Sequence, residues 1–265
     1  MDNKKFHNNL IVSTSPHIVT DEDTTKLMGT VLLALLPALV ASVYIFGARV
    51  LLLSVSCVVA SVAFEWIYNL LAKKPQTISD LSAAVTGLLI AFNVPSSFPV
   101  WMAIIGCFVA IVVIKQLYGG IGRNFVNPAI TARIFLFISF AAQMTSWPLP
   151  RMAAQTDAVT GPTPLALVAG GTGKADLPSN MDMFLGFTGG SLGEVSALAL
   201  LVGGLFLIWR KVISPAIPCA FIGTVFVIAL AYYKGDFNMA IFHVCAGGVM
   251  LGAFFMATDY VTSPK

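Results

Sequence analysis

Charged side chains are scarce in this sequence, and their scarcity argues against a soluble fold. Asp, Glu, Lys and Arg together make up 10% of the 265 residues, whereas a soluble domain carries about 25%. Hydrophobic residues make up 57%, and the net charge of +3 forms no basic patch of the kind that nucleic-acid binding needs. We therefore expect the lipid bilayer to be the solvent of this chain, and no nucleic acid among its partners.

Cysteine motifs and targeting signals are also missing. The four cysteines lie one each in four separate apolar segments, without a CxxC pair or the spacing of metal ligands. We expect them to be small apolar residues inside helices; the alternative, an intramembrane redox or metal site shared with a partner, finds no support in the sequence. Residues 1–26 are polar and contain no apolar signal-peptide core, which predicts a cytoplasmic N-terminal tail. The cysteines are Cys57, Cys107, Cys219 and Cys245.

No nucleotide-binding loop is recognisable. The glycine-rich stretch 119–122 resembles a phosphate loop only superficially, because no strand precedes it and no Rossmann unit surrounds it. We expect a tight turn there instead. The pairs Gly203-Gly204 and Gly247-Gly248 lie in apolar segments, where glycine allows close helix packing.

What the sequence does contain is a series of eight apolar runs, which predicts an all-α, polytopic integral membrane protein. A spanning helix needs about 20 apolar residues, and the third run is shorter than that. We expect a half-length or broken helix beside a cavity at this run, because lipid cannot satisfy free backbone groups. The predicted spans are 27–46, 50–71, 81–94, 100–117, 129–147, 192–209, 212–232 and 239–256.

The distribution of Lys and Arg predicts the orientation of these spans. With a cytoplasmic N-terminus, ten of the fifteen basic residues fall in inner segments and four in outer ones. This favours a cytoplasmic tail (1–26), a first membrane half of five spans (27–147), an extracytoplasmic loop (148–191) and a second half of three spans (192–265).

The extracytoplasmic loop contains the stretch "DAVTGPTPLALV" at 157–168. Asp157 and the hydroxyls of Thr160 and Thr163 suit a turn, Gly161 can adopt a positive φ, and Pro162 restricts its own φ. The bend presents the Thr163 hydroxyl beside an apolar run. Local chemistry alone favours an ordinary turn.

A family resemblance gives this loop a chemical role. The heptapeptide "DAVTGPT" is similar to the signal Asp-x-x-Ser/Thr-Gly-x-Thr, at which a dedicated flavin transferase esterifies the last threonine with the phosphate of flavin mononucleotide (FMN). This implies covalent FMN on Thr163, with Asp157, Thr160 and Gly161 completing the signal. Pro162 departs from the family, which usually has alanine there. Four other stretches agree: 14–19, 79–95, 119–133 and 257–264.

Together these stretches resemble the D subunits of Rnf complexes, the membrane-bound, ion-translocating ferredoxin:NAD oxidoreductases. The resemblance implies a subunit in a bacterial inner membrane that relays electrons coupled to Na⁺ or H⁺ movement, with other membrane and peripheral Rnf subunits as partners. It leaves open a second, non-covalent flavin such as riboflavin. The family has ten spans, so we expect this chain to be truncated after Lys265. The alternatives are the similar B subunit of the sodium-pumping quinone reductase and a flavin-free transporter or channel.

Ionisable residues inside the apolar runs are candidates for ion coupling, because their burial in a membrane is unfavourable. Most of them fall near predicted span ends, where long side chains usually reach water. Asp80 heads the short third run, where Ser82 and Thr86 add oxygens on a similar face, and Glu65 and His243 lie deeper in their runs. The Asp80 group suits either a sodium ion or the polar edge of a flavin. The remaining candidates are Lys115, Arg133, Glu194 and Asp259.

Overall fold

The computed structural model describes residues 23–150, 160–171 and 177–259. Within these ranges every regular element is a helix, and extended pairing is limited to two isolated bridges, Pro95 with Ser191 and Pro148 with Thr160. The predicted all-α class is confirmed for the described part of the chain.

Two long helices begin the fold. Helix α1 is Thr24–Phe46 and helix α2 is Arg49–Leu71, and each has 23 residues. At about 1.5 Å per residue they are roughly 35 Å long, enough to cross a hydrocarbon layer about 30 Å thick. They correspond to the first two predicted spans.

The third predicted span is short, as expected. Helix α3 is Ser82–Phe92, with 11 residues, and follows a 3₁₀ turn at Ile78–Asp80. Helix α4, Val100–Phe108, continues without a break into a π-helix, Val109–Gln116. The hydropathy pattern does not indicate this change of helix type, which turns the side chains at its end toward the interior.

Shorter helices occupy the middle of the chain. The fifth predicted span is divided at Phe140 into α5, Pro128–Ser139, and α6, Ala141–Met144. The Asn127 side chain caps α5, and Pro128 occupies its first position, a common start for a helix. The loop region contributes α7, Pro164–Ala169, and α8, Asn180–Leu185.

The last helices are α9, Ala197–Trp209, α10, Ala216–Tyr232, and α11, Phe237–Cys245. After α11 the chain bends by 65° and continues as α12, Val249–Leu251, which runs into a second π-helix, Gly252–Met256. The sixth predicted span therefore begins five residues late, and the eighth is a broken helix.

The described residues contain two helices long and apolar enough to cross a membrane, α1 and α2, or three spans if the bent pair counts as one. The other apolar helices have 10–17 residues. Helices or helix pairs occupy all eight predicted segments, but the count of eight spans stays a prediction.

Glycines allow the closest helix contacts in the core. A Cβ atom at Gly87 of α3 would lie 2.7 Å from the Cys57 carbonyl oxygen of α2, and one at Gly203 of α9 would collide with the Ala34 carbonyl oxygen of α1. Gly204 packs equally closely on the Phe254 ring. The predicted packing role of Gly203-Gly204 is confirmed.

Three irregular segments meet in the interior, at 93–99, 186–196 and 246–248. Their backbone groups pair with other protein groups, as buried backbone requires. The Leu192 amide donates to the Val94 carbonyl (3.1 Å) and the Gly193 amide to the Phe92 carbonyl (3.0 Å). The Ser42 hydroxyl of α1 donates to the Leu192 carbonyl. The helix breaks therefore form a defined non-helical region beside the loop.

Candidate functional site

The start of the loop pairs with the segment that precedes α7. Pro148 and Thr160 form a bridge, and the Gly161 amide donates to the Trp147 carbonyl (3.0 Å). Gly161 does not use the positive φ that glycine can adopt, since it is not among the described residues with positive φ. Its small size has a different use, because a Cβ atom there would lie 3.0 Å from the Leu149 side chain. Asp157 lies outside the described residues.

Thr163 ends this stretch as the N-cap of α7, where its hydroxyl oxygen accepts a hydrogen bond from the Ala166 amide (3.2 Å). The residue is half-buried and lines a cavity between the loop and the interior. We call it the loop cavity, and it encloses about 650 Å³ including the space at its open mouth. Ligand pockets commonly measure about 300–1,000 Å³. Its wall includes Arg133, Thr163, Ser191, Glu194, Gly247 and Gly248.

A charge pair occupies one wall of the loop cavity. The Nη1 atom of Arg133, in α5, donates to Glu194 Oε1 and also to the Oδ1 atom of Asn93 (2.9 Å). Asn93 is the residue that follows α3. The Arg133 side chain is 34% exposed and that of Glu194 is 7% exposed. The pair thus joins two of the irregular segments through α5.

Two further features of the wall indicate room for a polar ligand. The Ser191 hydroxyl is completely buried and has no hydrogen-bond partner within the described structure, an uncommon state for a buried polar atom. Gly248 lies so close to the charge pair that a Cβ atom there would be 2.7 Å from Glu194 Oε1. The prediction that Gly247-Gly248 mainly serves helix packing is therefore incomplete: the pair marks the helix break and lines the loop cavity.

A second polar site lies near the N-terminal end of α3, and we call it the Glu65 cluster. Glu65 Oε2 accepts from the Lys115 ammonium (2.9 Å), and Glu65 Oε1 accepts from the Gln116 amide (2.9 Å) and the Thr77 hydroxyl (2.6 Å). Lys115 also donates to the Ser82 hydroxyl oxygen (2.5 Å). The cluster comprises Glu65, Asn69, Thr77, Asp80, Ser82, Lys115 and Gln116.

Both charged partners at the centre of the Glu65 cluster are buried, and the sequence did not indicate this for Lys115. Glu65 is 1% exposed and Lys115 is 2% exposed. The expectation that Lys115 reaches water from a span end is wrong: it lies in the π-helix Val109–Gln116, is buried and pairs with Glu65. π-helical turns are often found at functional sites.

The three remaining candidates lie along the start of α3. The Asp80 Oδ1 atom accepts from both the amide (2.9 Å) and the hydroxyl (2.6 Å) of Ser82, so Asp80 acts as a cap and also joins the cluster. The Thr86 hydroxyl donates to the Ser82 carbonyl of its own helix (2.9 Å) and not to a side chain of the cluster. Of the predicted group, Asp80 and Ser82 lie together in the cluster, whereas Thr86 lies one turn beyond it. The sequence named Glu65 separately, and the structure joins it to the cluster through Lys115 and Thr77.

Ser82, Thr86 and Lys115 also line a second cavity, which we call the helix cavity. It encloses about 830 Å³ including its mouth, and Val85, Leu89, Phe254 and Phe255 make much of its wall apolar. At its polar end the Asn124 Oδ1 atom is buried without a hydrogen-bond partner in the described part of the chain. Asn127 donates to Asp259 there (3.4 Å). The cavity therefore combines apolar walls with an acceptor that has no partner among the described residues.

All four cysteines lie in helices, as predicted, but they differ in burial. Cys57 and Cys107 are buried and adjacent, with the Cys107 thiol 3.6 Å from the Cys57 carbonyl oxygen, whereas Cys219 is exposed. Cys245 is half-buried and lines the loop cavity. His243 contacts the Tyr233 hydroxyl (3.1 Å) and lies outside both cavities.

Comparison with known proteins decides the family. A family model described as the NQR2, RnfD, RnfE family matches residues 11–265. The chain belongs to this family. Its relatives include the D subunit of the Na⁺-translocating ferredoxin:NAD⁺ oxidoreductase complex of Acetobacterium woodii, 48% identical over 97% of this chain and 79% of that protein. They also include the D subunit of the proton-translocating ferredoxin:NAD⁺ oxidoreductase complex of Clostridium ljungdahlii, 40% identical over 96% and 79% of the respective chains.

A third member of the NQR2, RnfD, RnfE family has a more general name. The D subunit of the ion-translocating oxidoreductase complex of Rhodobacter capsulatus is 36% identical, over 94% of this chain and 78% of that protein. The names of these relatives thus agree on an ion-translocating oxidoreductase and differ on the ion. Family membership therefore does not identify the ion for this chain.

Proposed function

We propose that this chain is the D subunit of an Rnf-type ion-translocating ferredoxin:NAD oxidoreductase in a bacterial inner membrane, working with the other membrane and peripheral subunits of that complex. The names of its relatives support this assignment, and they favour the D subunit over the B subunit of a sodium-pumping quinone reductase. The main structural support for a redox role is the position of Thr163 in the wall of the loop cavity.

Thr163 carries FMN through a phosphoester in this proposal, attached by a separate flavin transferase. The residues fit such a group: the cavity meets the Thr163 hydroxyl, its wall offers the Arg133 guanidinium, and the buried Ser191 hydroxyl lacks a partner within the described structure. The isoalloxazine ring would supply the electron-transfer chemistry. The protein residues would hold the ring at a fixed depth and limit the access of water.

Mass spectrometry tests the attachment. Protein made together with a flavin transferase is digested, and the peptide containing Thr163 is examined for the mass of FMN. We expect the modification in the wild type and in Thr188→Ala, which lines the same cavity outside the attachment signal. Thr163→Ala should lose it. An unmodified wild-type peptide, or a flavin retained by Thr163→Ala, contradicts the proposal.

The helix cavity is the proposed place of a second, non-covalent flavin such as riboflavin. Its apolar walls suit a flat aromatic ring, and the Asn124 Oδ1 atom, which has no partner among the described residues, can accept a hydrogen bond from a ring N–H group. Denaturing the purified protein should release one flavin. Asn124→Leu should abolish this release and leave the covalent flavin on Thr163. Equal release from the wild type and Asn124→Leu would show that Asn124 does not bind the flavin.

The Glu65 cluster is the proposed ion-coupling site, because it holds buried ionisable groups beside a membrane span. Asp80→Asn keeps the capping ability of the residue but removes its charge from Ser82. We expect reconstituted vesicles to show slower ferredoxin-dependent NAD reduction and slower Na⁺ or H⁺ uptake, with covalent flavin unchanged. Wild-type rates for both would leave Asp80 as a helix cap only. Running the assay with and without Na⁺ identifies the ion.

The eight-span topology, with a cytoplasmic N-terminus and an extracytoplasmic loop, is also part of the proposal. Its test replaces the exposed Met181 of the loop with cysteine, in a Cys219→Ser background that removes the exposed native thiol. An impermeant thiol reagent should label Met181→Cys in intact cells. Gln76→Cys, at an exposed position of the predicted inner segment 72–80, should react only after the membrane is opened. The reverse pattern contradicts the topology.

A further inference from the structure

We propose that the Arg133–Glu194 pair sets the redox potential of the flavin on Thr163, with Arg133 favouring and Glu194 disfavouring the reduced ring. The inference rests on the proposed attachment of FMN to Thr163. A flavin ring that takes up two electrons and one proton gains one negative charge. Fixed charges close to the ring therefore alter the equilibrium between its oxidised and reduced forms.

Arg133 is placed to act on a ligand in the loop cavity. Both of its hydrogen bonds come from one nitrogen, Nη1, which donates to Glu194 and to Asn93. Its Nε and Nη2 groups make no hydrogen bond within the described part of the chain, and one third of the side chain is exposed. Since guanidinium has five N–H donors, Arg133 retains donors for a bound acceptor.

Ser191 supplies an independent indication of a ligand on the same wall. Its hydroxyl is fully buried, lines the loop cavity and lacks a partner among the described residues. The Glu194 amide donates to the Ser191 carbonyl (3.1 Å), so a tight turn fixes Ser191 relative to the acid of the pair. A carbonyl-bearing ring edge would satisfy the hydroxyl and lie beside the charges.

The acid of the pair has little freedom to move away. Glu194 is 7% exposed, and Gly248 packs against its carboxyl group so closely that a methyl group there would come within 2.7 Å of Oε1. The pair is therefore preorganised, and its two charges act on the cavity at fixed positions.

Opposite shifts on removing the two charges are the signature of this arrangement. Arg133→Gln leaves the acid uncompensated and should lower the midpoint potential, whereas Glu194→Gln leaves the guanidinium uncompensated and should raise it. We expect each to change the ratio of reduced to oxidised flavin at a given potential at least tenfold, which is about 30 mV for a two-electron couple. Arg133→Lys keeps the charge and should stay near the wild-type potential.

The experiment is a redox titration of the membrane complex carrying each variant, followed by flavin absorbance, with the exposed Arg210→Gln as a matched control. Covalent flavin on Thr163 is first verified by mass spectrometry, and thermal unfolding verifies that the variants are folded. Opposite shifts from Arg133→Gln and Glu194→Gln support the inference. Unchanged potentials, or shifts in one direction, overturn it. Absence of flavin from wild-type Thr163 instead overturns the proposed function.

Discussion

Removing either partner of the buried Glu65–Lys115 pair should destabilise the protein strongly, while removing both should cost much less than the sum. The two side chains are 1% and 2% exposed and their charged atoms lie 2.9 Å apart. Breaking a buried ion pair on one side leaves an uncompensated charge, which costs about 3–5 kcal/mol. We therefore expect that loss from Lys115→Met, and a similar loss from Glu65→Gln, which leaves the ammonium with Ser82 as its remaining partner.

A double-mutant cycle measures the coupling. Unfolding of the purified wild type, Lys115→Met, Glu65→Gln and the double variant is followed in one detergent, with Lys73→Met as a control on an exposed lysine. Residues in one network usually show interaction energies of about 0.5–3 kcal/mol. Additive losses, or single losses no larger than that of Lys73→Met, would refute the reasoning, because both require that water or lipid headgroups solvate the charges.

Three glycine substitutions test the packing. Gly203→Ala should destabilise the purified protein by about 1–3 kcal/mol or more, because its methyl group collides with the Ala34 carbonyl oxygen. In contrast, Gly223→Ala in α10 meets nothing within 4 Å and should stabilise it by about 0.5–1 kcal/mol in the same thermal assay. Gly248→Ala should displace Glu194 from Arg133 and shift the flavin potential; an unshifted potential would show that the acid relaxes without leaving its partner.

Hydropathy predicts the helical class and the first three helices well, because glycine or polar residues interrupt their apolar runs. It fails where the backbone departs from the α-helix inside an apolar run. Three features are not marked by hydropathy: the break at Phe140, the late start of α9 at Ala197 and the π-helix that ends at Gln116. The late start of α9 follows a segment whose backbone pairs with a distant one, with the Leu192 amide donating to the Val94 carbonyl.

The candidate site was predictable only in part, for the same reason. Thr163 stands out because its signal is contiguous in the chain. Arg133 and Glu194 are 61 residues apart and Lys115 and Glu65 are 50 apart, so nothing local indicates that they pair. Ser191 is an ordinary loop serine in the sequence, and only the structure shows that its hydroxyl is buried without a partner among the described residues.

One local signal for the Glu65 cluster is nevertheless present in α2. Its apolar residues Leu52, Val55 and Val59 are more than half exposed, whereas four of its polar residues and one cysteine are buried on another face. This reverses the pattern of a soluble helix, where polar residues mark the face in contact with water. In lipid, polar side chains turn toward protein, so the polar face of an apolar helix identifies its interior side. The 3–4 residue spacing of that face therefore places Glu65 in the interior; its members are Ser54, Cys57, Ser61, Glu65 and Asn69.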